Sequence, residues 1–262
     1  MINCNCLIQA NFDLSGKEFS NMRMRKKPNL IPRMEKCAAV QLMEAETYRG
    51  RWKEAFPGFD ALHVELGCGK GRFTADTAEA NPHVLLVAIE KVPDAMVVAM
   101  ERVCDRGLTN ARFMDRDVVR LPEIFEKGEV DRIYINFCDP WPKSRDAKYR
   151  LTAPDFLRKY ADVLPVGGQI HFKTDNTPLF TWSVEQFESE GWALSEVTND
   201  LHANGPVGIM TDYEAKFHAE GMPINRLVAT RTEHTKDSSA GSAGRLRNAF
   251  LSDAKGHQED QA

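Results

Sequence analysis

The chain has 262 residues, 42% hydrophobic and 27% charged, with a formal net charge of -4. That length buries a substantial core in one or two domains, and the composition is that of an ordinary globular protein rather than a disordered or fibrous one. A net negative balance excludes bulk attraction to nucleic acid, so a nucleic-acid partner would have to show in local charge. No apolar run nears the ~20 residues of a membrane span. The six cysteines form no CxxC pair, and the chain does not open with a signal-peptide pattern. A cytoplasmic protein with free thiols, no metal and no membrane partner is the expectation.

Residues 1–22 show no clear period and read as a disordered extension. The arm 23–37 carries Arg23, Arg25, Lys26, Lys27, Arg33 and Lys36 against the single acid Glu35. Pro28 and Pro32 prevent one long helix there. From Ala38 to about Phe56 the pattern reads as helical. Strands and helices then alternate. Strands are expected at Leu62–Leu66, Val84–Ile89, Ala111–Met114, Ile133–Phe137, Gln169–Phe172, Ala193–Thr198 and Arg226–Thr230. Helices are expected from Phe73 to about Asn81, over Pro93–Arg106, Phe156–Val163, Trp182–Gly191 and Tyr213–Ala219. Such alternation implies an α/β fold, a doubly wound and mostly parallel sheet of seven strands. One domain, 38–232, holds it, and residues 233–262 have the composition of a disordered tail.

The first strand runs into Glu65-Leu66-Gly67-Cys68-Gly69-Lys70-Gly71. Gly67, Gly69 and Gly71 let the backbone turn sharply and approach a ligand closely. The helix that follows points free N–H groups into the same space. A phosphate-binding loop would need Gly-Lys-Ser/Thr, and Gly69-Lys70-Gly71 lacks the hydroxyl. Glu65 would repel a pyrophosphate but accept from a cationic amino-acid group, as in S-adenosylmethionine.

Five strands end in acids: Glu65, Glu90, Asp117, Asp139 and Asp175. In an open α/β sheet, ligands bind outside the carboxyl ends of the strands, where the strand order reverses. Glu90 lies 25 residues after Glu65, near where a ribose-binding acid sits in a dinucleotide fold. Asp117 could accept from an adenine amino group. After the fourth strand, Asp139-Pro140-Trp141-Pro142 stiffens the chain. Lys143, Arg145, Lys148 and Arg150 then outnumber Asp146 by four to one. A basic loop beside a ligand edge, on an acidic protein, points to a polyanionic substrate.

Four segments in order carry a specific resemblance. They are Glu65–Phe73, Phe137–Lys143, His171-Phe172-Lys173-Thr174-Asp175-Asn176 and Thr211-Asp212-Tyr213-Glu214-Ala215-Lys216-Phe217. Together they resemble the bacterial tRNA (guanine-N7)-methyltransferase family, and Arg23–Pro28 resembles its N-terminal entry. The resemblance implies a Rossmann-like class I methyltransferase fold. It also implies transfer from S-adenosylmethionine to N7 of a guanosine in the tRNA variable loop. A monomer or homodimer is the expected state. By that pattern Glu65, Glu90 and Asp117 hold the cofactor with the glycine loop, and Asp139 occupies the catalytic position and also borders the cofactor. Lys143, Asp175, Thr211, Asp212, Tyr213 and Glu214 would meet the guanosine, with Arg145, Lys148 and Arg150 along the RNA. Ser144, Asp146 and Tyr149 depart from the family's more basic loop, in place of a lysine, a histidine and an arginine. Residues 1–22, and those from about Glu233, lie outside the family pattern, and removing residues 1–21 is expected to leave activity intact.

Some residues also have a plain structural reading. Thr211-x-x-Glu214 is a capping box, and His171, inside a strand, reads as structural. Of Lys173 and Asp175, the strand-end Asp175 is the expected substrate contact. A nicotinamide-dependent dehydrogenase would want a Gly-x-Gly-x-x-Gly fingerprint, which is absent. A tRNA-binding protein without activity would have no use for three acids placed for a nucleoside cofactor. A small-molecule or protein acceptor would leave the basic loop and arm unexplained.

Overall fold

The computed structural model describes residues 26–239. Within them one seven-stranded sheet has the order β3-β2-β1-β4-β5-β7-β6. The strands are β1 (Ala61–Leu66), β2 (Val84–Ile89), β3 (Ala111–Met114), β4 (Arg132–Asn136), β5 (Gln169–Thr174), β6 (Ala193–Thr198) and β7 (Asn225–Thr230). Pairing is parallel from β3 across to β5, and β7 runs against both β5 and β6. The chain winds outward from β1 to β3 and then crosses to β4 on the other side. The order therefore reverses between β1 and β4, which is where such sheets bind ligands.

Among the described residues eight α-helices accompany the strands: α1 (Leu30–Lys36), α2 (Trp52–Ala55), α3 (Arg72–Ala80), α4 (Pro93–Asp105), α5 (Leu121–Ile124), α6 (Pro154–Val163), α7 (Thr177–Ser189) and α8 (Asp212–Ala219). One sheet face presents Val64, Leu66, Val87, Ile89, Ile133, Ile135, Ile170 and Phe172 to the larger core. The other face packs Leu86, Ala88, Ala111 and Phe113 under α3 and α4. Strands covered on both sides read as continuous apolar runs, so Val84–Ile89 was legible without periodicity.

Three expectations change. Ala38 to Phe56 is not one helix: it holds 3₁₀ turns at Ala38–Val40 and Ala45–Tyr48 and then the single turn α2. Gln41 bridges to Phe113, Leu42 N–H donates to the Phe113 carbonyl at 2.7 Å, and Gly50 has φ 77°. Edge pairing and a left-handed glycine break the helix. Second, α6 and α7 start earlier than expected because Pro154 and Pro178 lie in their first turns, where proline costs no hydrogen bond. The Asn176 side chain caps α7 by accepting from Leu179 N–H at 2.8 Å. Third, residues 233–239, expected in the tail, fold back on the chain. Thr235 is buried and its Oγ1 donates to the Gly191 carbonyl at 2.9 Å, while Lys236 N–H reaches the Glu190 carbonyl.

The arm's described part also differs from a free basic strand. Arg33 forms a two-pronged pair with Glu101 of α4 at 2.7 and 2.6 Å, and Lys27 N–H donates to Asp94. Lys26 and Lys36 stay exposed. Arg23, Arg25 and the extension lie outside the described residues, as does the chain from residue 240. Among the described residues no helix is long and apolar enough to cross a membrane, and no cluster of His, Cys, Asp and Glu could hold a metal.

Candidate active site

The glycine turn follows β1 directly. Gly67, Gly69 and Gly71 have φ of 77°, 56° and 72°, a region that costs other residues ~1–2 kcal/mol. Their surroundings differ. A Cβ on Gly71 would lie 2.4 Å from the Ala99 Cβ, so Gly71 lets α3 press against α4. A Cβ on Gly67 or Gly69 would meet nothing within 4 Å. Those two glycines border open space, a cradle that side chains would fill.

An acid stands at or just past the end of each of β1, β2 and β3. Glu90, just past β2, accepts from Gly69 N–H at 2.8 Å and from Val92 N–H at 2.9 Å. Glu65 lies within β1 rather than beyond it, 1% exposed. Its Oε2 accepts from Thr74 Oγ1 at 2.6 Å and its Oε1 from Asn136 Nδ2 at 3.3 Å. Burial pushes the Glu65 carboxyl up to about 7, against these two bonds and the field of Lys173. Such a carboxyl gains most from a cationic ligand. Asp117 sits three residues past β3, capping Val119 N–H and paired with Lys91 at 2.6 Å. Burial would raise it, but the Lys91 and Val119 bonds hold it below the ordinary carboxylate range.

The edge of β4 is strained. Phe137 and Trp141 hold φ of 53° and 43°, left-handed values that bulky residues keep only where surrounding contacts impose them. Between them lie Cys138, the exposed Asp139 and Pro140, and Pro142 follows Trp141. Burial drives the Cys138 thiol up to about 12, and the charges of Asp139 and of Asp175, just past β5, both add to that rise. Because β4 and β5 pair in parallel, the two acids follow neighbouring strand ends on the same edge of the sheet. Burial lifts the Asp175 carboxyl above its usual range.

In the basic loop, Lys143, Arg145 and Lys148 face outward. Arg150 does not. Its guanidinium donates to the carbonyls of Pro140 and Trp141 at 3.0 Å each and lies 4.4 Å from the Trp182 ring centroid. It clamps the loop from inside, so the expected RNA contact at Arg150 is turned inward. Trp141 packs against Tyr149 at 5.3 Å.

Around α8 the capping box forms as expected, with Thr211 and Glu214 bonding reciprocally. Glu214, expected to meet the guanosine, is fully buried, and Lys173, His202 and Thr211 N–H hold its oxygens. Asp212 pairs with Arg102 of α4 at 3.1 Å, and Tyr213 is half exposed. Sequence reasoning missed Thr74, Asn136, Lys173, His202 and Arg102 as partners. Asn136, Lys173 and Arg102 act across the fold, and Thr74 and His202 from a neighbouring helix and loop, pairings that no spacing rule signals. His171 is structural: burial and nearby cations pull it down to about 3.

This sheet order, with β7 antiparallel and a glycine cradle after β1, defines a class I methyltransferase. Residues 60–227 match the model of a family described as "Putative methyltransferase". The tRNA (guanine-N(7)-)-methyltransferase of Listeria welshimeri is 43% identical over 209 residues, 79% of this chain and 98% of that protein. The enzyme of the same name from Bacillus velezensis is 43% identical over 214 residues, 81% and 99% of the two chains. In fold, the 16S rRNA methyltransferase KamB matches with a TM-score of 0.54 at 18% identity, over 69% of this chain and 91% of its own. The chain belongs to the tRNA (guanine-N7)-methyltransferase family.

Proposed function

We propose that this protein transfers the methyl group of S-adenosylmethionine to N7 of a guanosine in the tRNA variable loop. Family membership supports the activity, and one feature of the site carries the division of labour. The acids read as cofactor ligands follow β1–β3, while Asp139 and Asp175 follow the adjacent parallel strands β4 and β5.

The cradle suits the cofactor. Gly67 and Gly69 leave room for it, buried Glu65 answers its cationic amino group, Glu90 its ribose and Asp117 its adenine. When bound, S-adenosylmethionine supplies an electrophilic methyl on a sulfonium. Guanine N7 keeps its lone pair at neutral pH, so no side chain need remove a proton first. The protein's task is alignment, where holding two reactants in one geometry supplies much of the barrier reduction. Asp139 and Asp175 accept from the guanine N1–H and amino group, and their charge favours the positive purine that forms. Lys143, Arg145 and Lys148 contact the RNA phosphates. Thr211 and Tyr213 flank the base.

Incubating the protein with methyl-labelled S-adenosylmethionine and bulk tRNA, then analysing nucleosides, tests this. Label in 7-methylguanosine is expected, and label in another nucleoside or none would remove the proposal.

A further inference from the structure

Lys173 takes no part in the chemistry above, yet the two halves of the site meet there. It is the penultimate residue of β5 and 7% exposed. Its Nζ donates to Glu214 Oε2 at 2.6 Å and to the Ile209 carbonyl at 3.0 Å, and lies 5.2 Å from the Phe73 ring centroid. Phe73 stands in the first turn of α3, just after the glycine cradle. On the neighbouring strand, Lys173 pairs in register with Asn136, which donates to Glu65. One buried cation therefore touches the cofactor side and the acceptor side together.

Glu214 extends the chain of contacts. Its Oε1 meets His202 Nε2 at 3.1 Å, and its Oε2 accepts from Thr211 N–H at 3.2 Å. Val207 N–H donates to His202 Nδ1 at 3.1 Å, so the ring proton sits on Nε2 and points at Glu214. Lys173 thus reaches Ile209, Thr211, His202 and, through His202, Val207. From the other side Arg102 holds Asp212, and Ile209 packs against the α3–α4 cluster. The segment 201–212 is strapped across the site, with Lys173 beneath it. Neither Lys173 nor Glu214 can serve a substrate without giving up buried partners, and a buried charge left alone is costly.

We propose that Lys173 is a positioning residue. Paired with Glu214, it holds the segment 201–212 and the start of α8 in one place, so that Thr211 meets the acceptor base beside Asp175. The role at the base rests on the proposed function, whereas the strap does not.

The test compares Lys173→Met, Lys173→Arg and the double variant Lys173→Met/Glu214→Gln with the unaltered enzyme. Amide hydrogen exchange over residues 201–212, without RNA, reads the strap directly. Single-turnover methyl transfer at saturation reads its use, beside the affinities for S-adenosylmethionine and tRNA. Lys173→Met is expected to speed exchange in the segment by about tenfold or more. It should lower the saturated rate about 100-fold while leaving both affinities within about threefold, and Lys173→Arg should recover part of that rate. The double variant, with no unpaired charge, should regain thermal stability but not rate. Unchanged exchange in folded Lys173→Met would overturn the strap, and an unchanged saturated rate would overturn its use. A double variant that regains rate together with stability would reduce the pair to a structural one. Were the unaltered enzyme inactive on tRNA, the proposed function would fall and exchange would still decide the strap.

Discussion

The two halves of the site are built on different principles. On the proposed cofactor side, two acids cap backbone groups two residues on, Glu90 on Val92 N–H and Asp117 on Val119 N–H, and Asn136 alone brings Glu65 a bond from a distant strand that no cap provides. On the acceptor side, order comes from contacts between distant segments. Lys173 reaches Glu214 across 41 positions, and Arg150 pins the loop to Trp182 on α7. Pairing of β1 with β2 brings the glycine turn to Glu90, which accepts from Gly69 N–H. An acceptor surface made of long-range clamps leaves the exposed loop residues between the clamps, Ser144 and Tyr149 among them, without structural partners of that kind.

The largest effect expected is on the cradle's framework. Gly71→Ala forces a left-handed alanine and sets a methyl against Ala99, costing about 2–5 kcal/mol of stability. Gly69→Ala carries the backbone term alone, about 1–2 kcal/mol, since its Cβ would meet nothing in the protein. Urea unfolding of both variants checks the contrast, and equal destabilisation would break the distinction drawn between these glycines.

Asp139→Asn probes the other half. It keeps the shape but removes a charged acceptor worth ~1.5–3 kcal/mol, so a drop of roughly 10- to 150-fold in single-turnover rate is expected. Cofactor affinity should hold. If affinity falls while the saturated rate survives, Asp139 belongs to the cofactor side.

Smaller again is a pH effect on the cofactor side. Glu65 sits near 7 in the folded protein against an ordinary 4.5. The folded state therefore keeps a proton that the unfolded chain has released, and stability of the unliganded protein falls as pH rises from 4.5 to 7. A cationic ligand prefers the carboxylate, so its affinity is full above pH 7 and declines as pH falls through it. Calorimetry should find S-adenosylmethionine binding about tenfold weaker at pH 6 than at pH 8, with Glu65→Gln flattening the profile.

The subtlest prediction concerns the outward bases. Neutralising Arg145 or Lys148 should flatten the salt dependence of tRNA binding, by about 0.7–0.9 in log–log slope for each phosphate left without its cation. Neutralising Arg150 should loosen the loop without that slope change, because its guanidinium is spent on Pro140, Trp141 and Trp182. A full slope change at Arg150 would return it to the RNA surface.

The same contrast explains what the sequence revealed. All seven strands were legible in chain order, the inner ones because doubly covered strands and glycine stops are local signals, whereas the short helices α1 and α5 were not. The strand-end acids were legible because a parallel sheet lines them up on one edge. What stayed hidden was partner choice. Nothing within a few residues of Arg150 says that it turns inward onto Trp182, and nothing near Glu214 says that its capping carboxylate is also buried under Lys173 and His202. Ala38 to Phe56 misled because its edge pairing with β3 is itself a long-range contact.

The central claim is that the acceptor atom is guanine N7, presented to a preformed cofactor cradle. A tRNA transcript carrying 7-deazaguanosine at the variable-loop guanosine replaces that nitrogen with a carbon and keeps the base edge that Asp139 and Asp175 would read. Labelled methyl transfer and binding are then measured beside the unmodified transcript. Binding that is unchanged with no label transferred is the predicted result, and label on the deaza transcript would contradict the account.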